Sequence, residues 1–297
     1  MADTKHNERR ARNSEYPASV TRAAEAWGVR LEGAPRHSLN GCVVFGRRLE
    51  ALGEQLVVVK LTSPTSDESR GWAALRHYQG RGSVRLLARL GPVSLLERIT
   101  PGHQLAKLVR DGRDDEAMEK VCEVAAALHR DPPDAEVAAM RFPTLVELAK
   151  GFERYARAGA SVLPAELVHR AAGSFAELAA SQDAPRLLHG DLHHFNILRD
   201  EERGWVAIDP KGVIGEPAFE FGAALRNPAG EGFDFDKLSQ PAMIDRRIRI
   251  IVERTGIDFQ RLVQWCFAQA VLSAIWSWED GEDPARAIAF ARQVALM

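Results

Sequence analysis

His189-Gly190-Asp191-Leu192-His193-His194-Phe195-Asn196, with Ile208-Asp209-Pro210 following close behind, is the stretch on which the reading of this chain turns. It supplies a His-x-Asp-x-x-x-x-Asn loop and then an isolated aspartate at the end of the apolar run Trp205-Val206-Ala207-Ile208, which reads as a buried strand. Phosphoryl transfer from ATP calls for this set of groups. One carboxylate, Asp191, would face the acceptor hydroxyl as base or orienting group. Asn196 can turn back and offer its carbonyl oxygen to Mg²⁺, and Asp209 can offer a carboxylate from a rigid strand edge. Mg²⁺ takes oxygen ligands and keeps several waters, so one amide and one carboxylate suffice. His189 is expected to brace the loop through the backbone. The competing readings make His189, His193 and His194 a metal cluster or plain loop surface. A zinc site would want three or four N/S ligands at short spacings, and Cys42, Cys122 and Cys266 are scattered.

Working upstream, Gln55-Leu56-Val57-Val58-Val59-Lys60 is an apolar strand ending in a lysine, placed to grip the α- and β-phosphates of a nucleotide. Glu68 opens a helical stretch to Gln79 with Trp72, Leu75 and Tyr78 on one face, and can pair with Lys60 to hold its ammonium on target. Between two expected strands, the segment from His37 to Gly46 lacks a Gly-x-Gly-x-x-Gly pattern. Ser38, Asn40 and the backbone around Gly41 could still cap phosphates, although a hairpin turn with no ligand reads the same way. Leu95-Leu96-Glu97-Arg98-Ile99 is a further strand, and by its order along the chain the backbone at Glu97 and Ile99 would meet adenine.

On these residues the chain resembles the aminoglycoside phosphotransferase family, most closely the branch of streptomycin 6-kinases and hydroxyurea-resistance kinases. The resemblance rests on Arg85-Leu86-Leu87, Leu95 to Arg98, Leu188 to Leu198, Ala207-Ile208-Asp209-Pro210, Gly215-Glu216-Pro217-Ala218-Phe219-Glu220, and Trp276 with Glu279-Asp280-Gly281. It covers roughly residues 38 to 290. There are two departures: Phe195 stands where that branch usually has Glu, and Lys211 follows Asp209-Pro210 where a neutral or acidic residue is expected. The resemblance implies an α+β, protein-kinase-like fold of two lobes, a small antiparallel-sheet N-lobe and a mostly helical C-lobe. The boundaries expected are a mobile tail over 1–16, a nucleotide-binding N-lobe over 17–99 and a C-lobe over 100–297 that carries the catalytic loop and acceptor-binding helices. Helices are expected at about 117–130, 144–159, 164–181, 239–256, 258–279 and 284–296, with Asp131-Pro132-Pro133-Asp134 as a breaker after the first.

Composition sets bounds. The chain has 297 residues, is 45% hydrophobic and carries a formal net charge of −2, so it can bury a large core and has no global basic field for nucleic acid. No apolar run reads as a membrane span or a secretory leader, and three unclustered cysteines fit a reducing cytoplasm. Nothing in the sequence demands an oligomer, and a monomer is expected. From Gly212 to Ala285 twelve acidic residues face seven lysines and arginines, a bias that suits a polycationic acceptor. Glu216, Glu220, Glu279 and Asp280 are the expected acceptor carboxylates, beside Asp234 and Asp236. Trp276 and Trp278 are expected either to wall the pocket or to join the core. Three readings compete: an ATP- and Mg²⁺-dependent aminoglycoside kinase acting on streptomycin at its 6-hydroxyl; a kinase of the same fold acting on hydroxyurea or another small metabolite alcohol; and a catalytically silent nucleotide-binding protein.

Overall fold

A computed structural model describes residues 16–38, 40–51, 53–133 and 135–297, without the Glu136 side chain. Except for Tyr16, the expected N-terminal tail lies outside the described residues. The first half of the order is α1 (Ala18–Ala26), β1 (Val29–Ser38), β2 (Gly41–Glu50), β3 (Gly53–Thr62), a 3₁₀ turn (Asp67–Arg70), α2 (Gly71–Tyr78), β4 (Leu86–Leu90) and β5 (Val93–Glu97). Then come β6 (Pro101–Gln104), α3 (Ala106–Arg110), α4 (Asp114–Leu128), α5 (Ala135–Ala139), α6 (Leu145–Leu148), α7 (Lys150–Arg157) and α8 (Ala165–Ala180). The remainder is β7 (Arg186–Leu188), β8 (Ile197–Asp200), β9 (Gly204–Ala207), β10 (Val213–Gly215), α9 (Pro217–Leu225), α10 (Phe235–Leu238), α11 (Pro241–Thr255), α12 (Phe259–Glu279) and α13 (Ala285–Val294).

The first five strands form one antiparallel sheet in the order β1-β2-β3-β5-β4. Alternating side chains decide its faces. Cys42 and Val44 of β2 and Val57 and Val59 of β3 point inward with Val93 and Leu95 of β5, and α1 covers them with Val20, Ala23 and Ala24. On the opposite face Leu96 and Ile99 meet Leu75 of α2, Val84 and Val206 of β9, so this small cluster joins the sheet to the elements below it.

The larger core is helical. α12 is buried nearly all round, as expected of a helix that other helices surround. It packs on α7, α8, α9, α11 and α13. Trp265, Phe175 and Phe219 meet edge to face at its centre, with centroid separations of 5.1–6.0 Å. α2 belongs to both cores: Leu75 faces the sheet, whereas Ala73, Ala74 and Tyr78 join the helical core. The buried Tyr78 hydroxyl donates to the Leu187 carbonyl at 3.1 Å, a direct tie from the first lobe's helix to the strand that leads into the catalytic loop. Among the described residues no helix is long and apolar enough to cross a membrane.

Candidate active site

The β8–β9 pairing places the two expected metal ligands side by side. Ile197 pairs with Ala207, and the Ile208 N–H donates to the Asn196 carbonyl at 2.9 Å, so Asn196 and Asp209 leave the same end of one ladder. Asn196 Nδ2 donates to the Asp191 carbonyl at 3.0 Å, which turns Oδ1 outward as the acceptor. Asp209 has φ +58, a left-handed conformation that aspartate tolerates better than most residues but that still costs energy. Its Oδ1 lies 2.8 Å from Lys60 Nζ. An amide oxygen and a carboxylate at one strand end are the hard oxygen donors that Mg²⁺ accepts, with phosphates and water completing its shell.

Lys60 sits on β3 opposite Ser94 of β5, so the sheet holds its backbone. Its ammonium is 2.5 Å from Glu68 Oε2, while Glu68 Oε1 accepts from Asn40 Nδ2 at 2.8 Å. Burial pulls the Lys60 pKa down, but Asp209 and Glu68 outweigh it and leave the ammonium above the ordinary lysine range. Asn40 is thus drawn to the lysine pair at the tip of the β1–β2 hairpin, where Ser38 pairs with Gly41. That hairpin needs its glycine. At φ +146 a Cβ on Gly41 would run into the Leu61 carbonyl.

Asp191 lies in a loop tied down from behind. His189 Nε2 is 2.8 Å from the Ile208 carbonyl, and its Nδ1 accepts the Asp191 N–H at 3.2 Å. Below, Glu220 of α9 accepts the His189 N–H at 2.6 Å and the Gly190 N–H at 2.9 Å, and meets His129 Nε2 at 3.1 Å. Burial alone would raise the Glu220 carboxyl, yet these hydrogen bonds and the histidines hold it below the ordinary glutamate range. The Asp191 carboxyl is likewise desolvated and still held below its usual value, by Lys211, His193 and His189. Lys211 Nζ is 3.4 Å from Asp191 Oδ2. His194 is fully buried and its ring stays neutral because burial disfavours the charged form.

The expected acceptor residues mostly face elsewhere. Glu220 is buried under the loop and has no free carboxylate to offer a ligand. Glu216 is buried and holds Arg261 through two bonds of 2.5 Å. Glu279 takes a bidentate bond from Arg154 of α7 at 2.8 and 2.9 Å. Trp276 packs on the helical core beside Gly151 of the same helix, and Trp278 stacks edge to face on Tyr155 at 5.0 Å. Asp280 is exposed at the end of α12. Glu97 commits its N–H to the Arg85 carbonyl at 3.2 Å and its carboxylate to Arg85 N–H and Arg203, and the Ile99 side chain is buried in the inter-lobe cluster. An adenine would therefore have to be met by the Glu97 carbonyl, not its N–H.

What the sequence reading missed is the opposite flank of α12. Ser273 and Ser277, one turn apart, line a cavity of about 460 Å³ with Arg226, Asn227, Phe235, Glu282, Asp283 and Arg286. Arg226 closes its floor. Its Nη1 donates to the Gly222 carbonyl and to Gln269 Oε1, both at 2.8 Å. Burial lowers its pKa to about 10, against the pull of Cys266 and Asp191. The signal was present as two serines at helical spacing in the apolar run from Ala270 to Trp278.

Residues 38–281 match the family model described as aminoglycoside/hydroxyurea antibiotic resistance kinase. The chain is 36% identical over 289 residues to a hydroxyurea phosphotransferase of Kitasatospora aureofaciens, covering 93% of this chain and 77% of that protein. It is 34% identical over 219 residues to a streptomycin 3''-kinase of Klebsiella pneumoniae, covering 72% and 77%. A streptomycin 6-kinase of Streptomyces griseus is 30% identical over 279 residues, covering 89% and 84%. Among solved structures, a thermostable mutant of aminoglycoside phosphotransferase APH(4)-Ia, in complex with ADP and hygromycin B, aligns with a TM-score of 0.59 at 12% identity over 93% of this chain and 99% of that one. At that identity the likeness is one of fold, a small antiparallel-sheet lobe on a helical lobe.

Proposed function

Because this chain belongs to the aminoglycoside/hydroxyurea antibiotic resistance kinases, and is thus a phosphotransferase with an alcohol group as acceptor, we propose that it transfers the γ-phosphoryl of ATP to a hydroxyl of an aminoglycoside, streptomycin at its 6-hydroxyl, in the cytoplasm. The observation that carries the reading is the convergence of Lys60, Glu68, Asp209 and Asn196 beside the loop that holds Asp191. The N-lobe would run over 17–99 and the C-lobe over 100–297.

In this mechanism Lys60, held by Glu68, binds the α- and β-phosphates. Asn196 Oδ1 and Asp209 would hold Mg²⁺, which supplies charge neutralisation across the phosphates. Asp191, kept ionised, accepts a hydrogen bond from the acceptor hydroxyl and orients it in line with the γ-phosphorus. The acceptor O–P bond forms as the bond from phosphorus to the ADP oxygen breaks, and the hydroxyl proton passes to the Asp191 carboxylate. Glu220 touches no reactant. It fixes the loop that carries Asp191 through two backbone N–H groups.

The acceptor would lie in the cavity lined by Ser273, Ser277, Glu282 and Asp283. Carboxylates there suit guanidinium groups, and hydroxyls suit a sugar. A second reading, hydroxyurea as acceptor, is favoured by the 36% identity to a hydroxyurea phosphotransferase and by Glu216, Glu220 and Glu279 spending their charge on protein partners. Steady-state transfer to streptomycin and to hydroxyurea separates the two. The aminoglycoside reading expects Glu282→Gln with Asp283→Asn to raise KM for streptomycin by up to about fivefold per exposed carboxylate with KM for ATP unchanged. Transfer to hydroxyurea alone would replace it with the second reading, and nucleotide binding without turnover on any alcohol would leave the silent-protein reading.

A further inference from the structure

Lys211 stands beside Asp191, and the proposed transfer gives it no task. Its ammonium lies 2.7 Å from Asp67 Oδ2 and 3.4 Å from Asp191 Oδ2. Asp67 opens the 3₁₀ turn that also carries Glu68, the partner of Lys60. Lys211 therefore spans the cleft from the sheet lobe to the catalytic loop, and Lys60 and Lys211 are held by neighbouring carboxylates of the same turn, Glu68 and Asp67. Two backbone bonds fix where Lys211 starts: the N–H groups of Lys211 and Gly212 both donate to the His189 carbonyl, at 2.9 and 3.0 Å. The segment after Asp209 is thus clamped onto the same loop that positions Asp191.

Geometry then limits what the ammonium can reach. An acceptor oxygen hydrogen-bonded to Asp191 stands about 3 Å from its carboxylate, and an attacked phosphorus stands about 3–3.5 Å beyond it. A cation 3.4 Å from Asp191 Oδ2 on a flexible four-carbon stem is within reach of the equatorial oxygens of that phosphoryl group. Asp67 is a weak competitor, since its carboxylate is 55% exposed.

We propose that Lys211 is a catalytic residue that binds the γ-phosphoryl group of ATP during transfer, and that its bridge between Asp67 and Asp191 is the resting position it leaves when the triphosphate enters. Lys60 serves the phosphates that stay on the nucleotide; Lys211 serves the one that moves. The side chain neutralises the charge that builds on the transferred group next to a carboxylate that would otherwise repel it. This deepens the phosphotransferase reading and rests on it, but it does not depend on which acceptor is used.

The test is a difference between two nucleotides that share everything but the γ-phosphate. Binding of ADP and of the non-hydrolysable analogue AMP-PNP, each with Mg²⁺, is measured by calorimetry on wild type, Lys211→Met and Lys211→Arg. Loss of a charge-assisted contact to the γ-phosphate weakens AMP-PNP roughly ten- to hundredfold in Lys211→Met and leaves ADP within about twofold, with Lys211→Arg recovering most of the loss. Transfer by Lys211→Met falls at least as much as AMP-PNP affinity. If Lys211→Met binds the two nucleotides in the wild-type ratio, Lys211 does not meet the γ-phosphate and the inference is overturned, whatever happens to turnover. Equal weakening of both nucleotides overturns it too, because that is the signature of a disturbed cleft. Failure of wild type to bind either nucleotide would instead overturn the phosphotransferase reading itself.

Discussion

At the scale of single residues Asp191 and Glu220 have different tasks: Asp191 is proposed to meet the acceptor, and Glu220 holds the loop that carries it. Asp191→Ala should lower transfer by roughly 10²–10⁴-fold and leave nucleotide affinity nearly unchanged, since the carboxylate faces the acceptor. Single-turnover transfer set beside AMP-PNP binding reads both, and more than a few per cent of residual rate would remove Asp191 from its role. Glu220 bears on stability. Its carboxyl is held below the ordinary value of 4.5 in the folded chain, so its contribution is present above pH 4.5 and is lost as pH falls through the lowered folded value. Melting of wild type and Glu220→Gln, followed from about pH 6 to about pH 3, should show a gap that closes on acidification. A gap that stays constant, or widens, would mean that the carboxylate's charge is not what secures the loop. At this scale the sequence was readable where chemistry dictates residue type at short spacing, as in His189 to Asn196. Glu220 was expected at the acceptor because its acidity was visible; its burial and its bonds to the His189 and Gly190 N–H groups were not.

At the scale of elements, helix α2 ties the turn that carries Glu68 to the segment after Asp209 and to the strand before the catalytic loop. Its first residue, Gly71, lies so close to Asp209-Pro210 that a Cβ would overlap the Pro210 carbonyl oxygen. Gly71→Ala should push α2 outward, move Glu68 off Lys60 and cost about 1–3 kcal/mol of stability. Urea unfolding together with KM for ATP checks it, and an unaltered KM would show that α2 tolerates the shift. Helix α12 shows how phase decides what each residue faces. Leu272 and Trp276 face α7, with Glu279 bonded to Arg154 there, while Ser273 and Ser277, rotated about 100° per residue from them, face the cavity. Glu279→Gln with Asp280→Asn should therefore cost about 0–1 kcal/mol of stability and leave KM for the acceptor unchanged. A large rise in KM would return those two residues to the acceptor site. Helix existence was legible from apolar periodicity, and the ends fell within a few residues, as for the helix expected at 117–130 and found at Asp114–Leu128. The helix expected at 144–159 is two helices, Leu145–Leu148 and Lys150–Arg157, meeting at Ala149, which continuous periodicity does not reveal.

At the scale of the whole molecule, the contacts between the two lobes include the Leu75–Leu96–Val206 cluster and the Tyr78–Leu187 hydrogen bond, and the proposed nucleotide would add to them. A ligand that binds only the folded chain stabilises it by mass action, so MgATP at a hundred times its dissociation constant should raise the melting temperature by roughly 5 °C. Lys60→Ala should lose most of that rise at the same concentration, and a rise equal to wild type would displace Lys60 from the phosphates. The sequence by itself determined the class of enzyme and the chain order of the parts: Lys60 on a strand, then the loop from His189 to Asn196, then Asp209 just past a short strand, within a sheet-then-helix organisation. Those features rest on local spacing, residue type and hydrophobic period, which one chain displays without help. Only the tertiary structure decided which charges remain available. Twelve acidic residues between Gly212 and Ala285 look alike in sequence. Folding buries Glu216 and Glu220, binds Glu279 to Arg154 and leaves Glu282 and Asp283 at a cavity. The same step carries Lys211 from a neighbour of Asp209 in sequence to a partner of Asp67 and Asp191 across the cleft. The reason is physical: a carboxylate's role depends on its solvent and its nearest cation, and both come from segments far away along the chain.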